Sequence, residues 1–184
     1  MRAVIYETEA YQGQDDQACH ARRGATPRCQ VMFEDAGHAY IYFTYGMHWM
    51  LNVVCEPKGY PAAVLIRAIF PLEGLGKMRY LRPNLAGKES WLNGPAKLTQ
   101  AWALDRSLNG VDLCDPKSGL RTEQGVSVPA ELIQVFPRIG IKYAPEPWQS
   151  MPWRWAVAYS KMADLIGQAR IRENLPVRKE TLPL

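Results

Sequence analysis

The stretch HAYIYFTYGMHWMLNVVC, His38–Cys55, decides the fold. His38 to Tyr45 is aromatic and rich in strand formers, Gly46 marks a turn, and Trp49 to Cys55 runs back, which together read as a β-hairpin. Upstream, Val4 to Tyr11 alternates with the period of a strand: Ile5, Glu7, Glu9 and Tyr11 share one face, and Val4, Tyr6, Thr8 and Ala10 the other. Downstream, Ala62 to Phe70 is a nearly unbroken apolar strand with one charge, Arg67, inside it. Sequential strands joined by short turns predict an antiparallel sheet, and helices packed around it make the class α+β.

The remaining elements follow from local signals. Gln12 to Arg28 lacks periodicity and reads as a loop, with a short helical turn at Asp15–Gln17. Leu72 to Leu81 reads as a short helix stopped by Pro83. Asn93-Gly94-Pro95 opens another helix, with Pro95 suited to its first position, and turns Leu98, Ala101 and Trp102 toward the core. Val126 to Ile141 reads as two or three short strands. Trp148 to Trp155 reads as a covering loop and an edge strand. Ser160 is expected to cap a final amphipathic helix over Lys161–Glu173. One domain over 1–174 and a loose tail over 175–184 are expected.

At 184 residues the chain can bury a real core. Its net charge is +4, compatible with a polyanionic partner without proving one. Cys19, Cys29, Cys55 and Cys114 form no C-x-x-C pair, which argues against a zinc knuckle or a dithiol motif. No apolar run approaches the roughly 20 residues of a membrane span, and no signal peptide is evident. A soluble, cytoplasmic, nucleoid-associated protein is expected. There is no Gly-rich dinucleotide loop and no phosphate-binding loop of the GxxxxGK type; neither a cofactor nor a metal is expected.

The residues able to do chemistry cluster in the first third. Glu9 and Tyr11, two apart on a strand, point the same way about 7 Å apart. A pocket wall and an exposed strand face both fit that pattern. His20 begins a basic loop with Arg22, Arg23 and Arg28, stiffened by Gly24 and Pro27, where Thr26 adds a hydroxyl donor. Arg67 requires a carboxylate partner, for which Glu7 and Glu9 are the candidates. Asn52, in an apolar strand, is either a satisfied core amide or a pocket group.

Taken together, these segments resemble the alkyladenine (3-methyladenine, or methylpurine) DNA glycosylases. The resemblance rests on Glu7-Thr8-Glu9-Ala10-Tyr11, His20-Ala21-Arg22-Arg23-Gly24, Thr26-Pro27-Arg28, Val31-Met32-Phe33 and Tyr42-Phe43-Thr44-Tyr45-Gly46-Met47. It continues through Asn52, Leu65-Ile66-Arg67-Ala68, Pro71-Leu72-Glu73-Gly74 and Asn93-Gly94-Pro95-Ala96-Lys97-Leu98, and more weakly through Arg138-Ile139-Gly140-Ile141. It implies a curved, mostly antiparallel sheet with surrounding helices, and a monofunctional enzyme that needs no metal. In that enzyme Glu9 activates water, and Arg67 places it together with a backbone carbonyl near Ile141. Tyr11 and His20 sandwich the extruded base, Tyr42 packs its edge, and Asn52 disfavours guanine. Tyr45 wedges into the minor groove, and Arg22, Thr26, Arg28, Met32 and Lys97 lie near the DNA.

The implied partner is double-stranded DNA containing damaged purines, met by a monomer without a membrane. Members of the family carry a helix and strand before the Glu9 strand. Their absence here points to a sheet lacking one edge strand or to a start further upstream. The competing readings are a DNA-binding relative that has lost catalysis, keeping Glu9 for an ion pair with Arg67, and a sugar hydrolase using Glu7 and Glu9.

Overall fold

In a computed structural model, which describes residues 1–83 and 89–172, the chain builds one six-stranded sheet with strand order β2-β3-β4-β1-β6-β5. The strands are β1 (Arg2–Gln12), β2 (Ala39–Thr44), β3 (His48–Val54), β4 (Ala62–Glu73), β5 (Gln134–Phe136) and β6 (Arg154–Ala156). All neighbours are antiparallel. Three α-helices stand among the described residues: α1 (Leu75–Leu81), α2 (Pro95–Ala101) and α3 (Tyr159–Arg172). This is the expected α+β class.

Side-chain alternation sorts the sheet into two faces. Ile41 of β2, Leu51 of β3 and Ile66 of β4 bury against Leu75 and Met78 of α1 and Leu98 and Ala101 of α2. Pro95 does begin α2, and Trp102 packs partly buried against this cluster. Tyr6 of β1 and Phe70 of β4 pack against Met162 and Ile166 of α3. The opposite face carries Tyr40, Val54 and Ala63. It is covered by 3-10 turns at His20–Arg23 and Gln30–Phe33, which bring buried Cys19, Ala21, Cys29 and Met32.

Pairing register runs one row straight across this second face: Tyr40–Asn52–Leu65–Glu9–Arg154–Phe136. Register then slips between Thr8↔Ile66 and Glu7↔Ala68. Arg67 is the unmatched residue at that irregularity, a place where strands commonly re-aim a side chain.

Several expected boundaries change. Within 126–141 there is a single strand, β5, preceded by a 3-10 turn at Ala130–Leu132. β6 lies inside the sheet between β1 and β5, so the edge strand on that side is β5. β4 runs through Pro71 to Glu73, absorbing Leu72 from the expected helix. Ser160 lies within α3 rather than capping it. The loose tail expected over 175–184 lies outside the described residues.

Candidate active site

The face carrying the Tyr40–Glu9 row is the floor of a cavity of about 470 Å³, a size typical of small-ligand pockets. β1 contributes Tyr11; β2 contributes Tyr40, Tyr42 and Thr44; β3 contributes Met50 and Asn52; β4 contributes Ala63, Leu65 and Arg67. Each set keeps period-2 spacing, so sheet alternation alone accounts for their convergence. Loops supply the rest of the lining, chiefly Ala18 and His20 on one side and Ile139, Ile141 and Tyr143 on another, with Tyr45 at the hairpin tip.

Glu9 sits behind this lining with no exposed surface. Its Oε1 accepts the Ile139 backbone N–H at 2.7 Å and lies 3.2 Å from Arg67 Nη1. Its Oε2 accepts the Tyr11 hydroxyl at 2.9 Å. All three partners belong to residues that line the cavity. The partner sought for Arg67 proves to be both candidates, because its Nε also donates to Glu7 Oε1 at 3.0 Å. Asn52 likewise fills both of its offered roles. It is buried, its Nδ2 donates to the Tyr40 carbonyl at 3.0 Å, and it lines the cavity.

The rings are kept neutral. Burial, and then the charges of Arg28 and Arg22, push the His20 imidazole from its ordinary 6.5 down to about 4. Its Nδ1 is 2.8 Å from the Tyr40 hydroxyl, and its ring meets the Tyr42 ring edge-on with centroids 4.5 Å apart. Burial pushes the Tyr42 phenol up to about 12. Burial raises Tyr11 as well, reinforced by the Glu9 carboxylate. At neutral pH the wall is therefore flat and uncharged, beside a carboxylate–guanidinium pair. Such a cavity has the flat walls and the single acidic group that a planar ring would meet.

The other predicted residues lie at the rim or beyond it. Tyr45 is 77% exposed at a left-handed turn position, φ +52°, beside Gly46 at φ +67°. Met47 N–H closes that turn on the Thr44 carbonyl at 3.2 Å. The Arg28 guanidinium lies 5.3 Å from the Tyr42 ring centroid and donates to the Phe43 carbonyl at 3.4 Å. Arg22 lies 5.8 Å from the Tyr143 ring. The Thr26 hydroxyl contacts Cys29 Sγ at 3.2 Å, and Lys97 Nζ donates to Asn93 Oδ1 at 2.7 Å. Met32 is buried in the cavity lining rather than set on an open surface.

Sequence reasoning missed the group that holds the loop side in place. Arg138 and Asp16 form an ion pair whose side chains are both wholly buried. Arg138 Nη2 donates to Asp16 Oδ1 at 2.9 Å and to the Trp148 carbonyl at 3.3 Å, and Nη1 donates to the Ala10 carbonyl at 3.0 Å. Its guanidinium lies 4.8 Å from the Tyr11 ring and 4.9 Å from the Trp153 ring. The next residue is Ile139, whose amide holds Glu9. The only sequence signal was that Arg138-Ile139-Gly140-Ile141 belonged to the resemblance. Among the described residues, no three His, Cys, Asp or Glu side chains converge as a metal site, and no helix is long and apolar enough to cross a membrane.

Comparison with known proteins shows the family. The family model for methylpurine-DNA glycosylase matches residues 1–161. A protein of Burkholderia cenocepacia (strain HI2424) is 47% identical over 154 residues, covering 83% of this chain and 72% of that protein. One from Methanocella arvoryzae is 48% identical over 151 residues, with coverages of 82% and 74%. One from Prosthecochloris aestuarii is 46% identical over 178 residues, with coverages of 97% and 76%. All three carry the name "Putative 3-methyladenine DNA glycosylase". The chain belongs to the methylpurine-DNA glycosylase family, hydrolases of N-glycosyl bonds in DNA.

Proposed function

We propose that this family member excises alkylated purines, 3-methyladenine foremost, from duplex DNA as a monomer. The nucleotide is rotated out of the helix at a cost of a few kcal/mol. Tyr45, exposed at the tip of the β2–β3 hairpin, fills the gap it leaves. The base enters between Tyr11 and His20 with Tyr42 at its edge, and Asn52 on the floor excludes the amino group of guanine. Arg22, Thr26, Arg28 and Lys97 lie along the DNA backbone, while Met32 supports the pocket from below.

An alkylated purine such as 3-methyladenine is cationic, so uncharged aromatic walls favour it over a normal base by about 0.5–2 kcal/mol. A neutral His20 suits this, since an imidazolium would repel the same cation. The positive charge has already weakened the glycosidic bond. As that bond breaks, its electron pair leaves with the base, which departs neutral. The oxygen of a water molecule bonds to C1′, and its proton passes to Glu9. The products are a free base and an abasic deoxyribose. One carboxylate suffices, unlike the paired carboxylates of most glycosidases. Arg67 and the 139–141 backbone orient Glu9 and the water.

The observation that carries this reading is the Glu9 carboxylate, held by two hydrogen-bond donors and one guanidinium that all line a cavity walled by uncharged rings. The test is release of free 3-methyladenine from methylated duplex DNA. Wild type is expected to release it. Glu9→Gln keeps the shape and most hydrogen bonds, so it should still bind a duplex with an abasic analogue yet release nothing. Full release by Glu9→Gln refutes the assignment of the base. A wild type that binds and never cleaves is instead a DNA-binding relative without catalysis.

A further inference from the structure

Glu9 does not have Arg67 to itself. Arg67 Nε is engaged by Glu7 Oε1 at 3.0 Å, leaving Nη1 to reach Glu9 Oε1 at 3.2 Å. The same Glu7 oxygen accepts Arg154 Nη1 at 3.0 Å. Arg154 in turn donates from Nε to the Pro137 carbonyl at 2.9 Å and lies 4.5 Å from the Phe136 ring centroid. Two residues beyond Pro137, the Ile139 N–H returns to Glu9 Oε1 at 2.7 Å. The contacts close into a ring: Glu9, Arg67, Glu7, Arg154, the 137–139 backbone, and Glu9 again. Two guanidiniums and two carboxylates balance within it. The side chains of Glu7, Arg67 and Arg154 are at most 18% exposed.

A carboxylate offers about four acceptor sites. On Glu9, the Ile139 N–H takes one at Oε1, where Arg67 Nη1 stands as an ion-pair partner at 3.2 Å, and the Tyr11 hydroxyl takes one at Oε2. Oε2 keeps a further acceptor site that no described contact fills. A guanidinium facing a single carboxylate prefers two parallel hydrogen bonds, one to each oxygen. If Arg67 adopted that fork on Glu9, it would occupy this site on Oε2.

We propose that Glu7 is a positioning residue that keeps an acceptor site of the Glu9 carboxylate free for the attacking water. It holds the Nε edge of Arg67, which denies Glu9 the side-on fork and leaves the guanidinium its single contact at Nη1. Through Arg154 it also anchors the segment whose amide fixes Glu9. The proposal rests on the reading of Glu9 as the base, and the experiment separates the two.

The experiment measures single-turnover release of 3-methyladenine with enzyme in excess, affinity for an abasic-analogue duplex, and thermal midpoint. Variants are Glu7→Gln, Arg154→Lys and the double Glu7→Gln/Arg67→Lys. Glu7→Gln should slow release by about 10- to 100-fold, the scale of a misplaced reacting group, with duplex affinity unchanged. Arg154→Lys keeps the charge on Glu7 and gives up the Pro137 carbonyl, so it should lose less. Lysine has no fork, so the double variant should release base faster than Glu7→Gln alone. A purely structural ion pair would not produce that rescue.

Wild-type release by Glu7→Gln overturns the proposal, as does a double variant slower than Glu7→Gln. If Glu7→Gln does not fold, Arg154→Lys decides, and a wild-type rate there overturns it. Failure of the wild type to release any base, by contrast, overturns the reading of Glu9 itself.

Discussion

Arg138→Met is the most demanding test of how the loop side of the cavity is held. Both members of the Asp16–Arg138 pair have fully buried side chains. Methionine approximates the arginine stem and can pack against Tyr11 and Trp153, so little volume is lost. What it removes is polar. Asp16 keeps its backbone donors, Ala18 N–H at 2.9 Å and Gln12 N–H at 3.3 Å, but its charge loses its only cationic partner among the described contacts. The Ala10 and Trp148 carbonyls lose a donor each. Breaking a buried pair from one side typically costs about 3–5 kcal/mol. At roughly 2–4 °C per kcal/mol for a domain of this size, the thermal midpoint should fall by roughly 6–20 °C. Circular dichroism melts and urea titrations of wild type, Arg138→Met, Asp16→Asn and the double variant give the coupling directly. The double variant should cost less than the sum of the singles, because Asn leaves no bare charge behind. Release of 3-methyladenine, measured well below the variant's midpoint, should also fall, since Ile139 follows Arg138 and its amide fixes Glu9. A loss below about 1 kcal/mol, or single-variant costs that simply add, would refute the claim that this pair braces the loop.

Two further outcomes follow from the site. In the folded protein His20 titrates near 4, below its ordinary 6.5, so the unfolded chain takes up this proton first. The stability His20 contributes is therefore fully present above about 6.5 and is lost as pH falls through that window toward 4. Melts between pH 4 and 7 should show a steeper decline in wild type than in His20→Gln, and equal slopes would contradict the buried neutral ring. Tyr45→Gly separates stability from function at the hairpin tip. Glycine relieves the left-handed φ of +52°, worth about 1 kcal/mol, so the midpoint should hold or rise. Excision from duplex DNA should fall sharply, and excision from a single strand much less, because only the duplex leaves a gap to fill. A lowered midpoint, or equal losses on both substrates, counts against the wedge.

How much of this was legible depends on which side of the cavity a residue comes from. The floor is sheet, and a sheet converts period-2 spacing into shared direction. Glu9 with Tyr11 was therefore readable as a pair before the strands were placed, and the same spacing joins Tyr40 with Tyr42, Met50 with Asn52 and Leu65 with Arg67 in the structure. Arg67 was readable for a second reason: a charge in an apolar strand demands an acid. That both Glu7 and Glu9 answer it was not readable, because the register slip opposite Thr8 and Glu7 belongs to the pairing and leaves no mark on either strand alone. Residues 134–136 and 154–156 pair as strands of three residues each, too short to display any period. β6 takes its interior place from its pairing with Glu7–Glu9 and from Arg154 reaching Glu7. Asp16 and Arg138 stand 122 positions apart, and nothing local marks either as buried. Met32 illustrates the converse: the family resemblance set it near the DNA, but the 3-10 turn at Gln30–Phe33 rotates it inward against Tyr40 and Ala63. The floor is thus specified by spacing within each strand, and the loop side by single long-range polar contacts. Substitutions on the floor should chiefly alter which base is accepted, whereas those at Asp16, Arg138 or Glu7 should chiefly alter how firmly Glu9 is aimed.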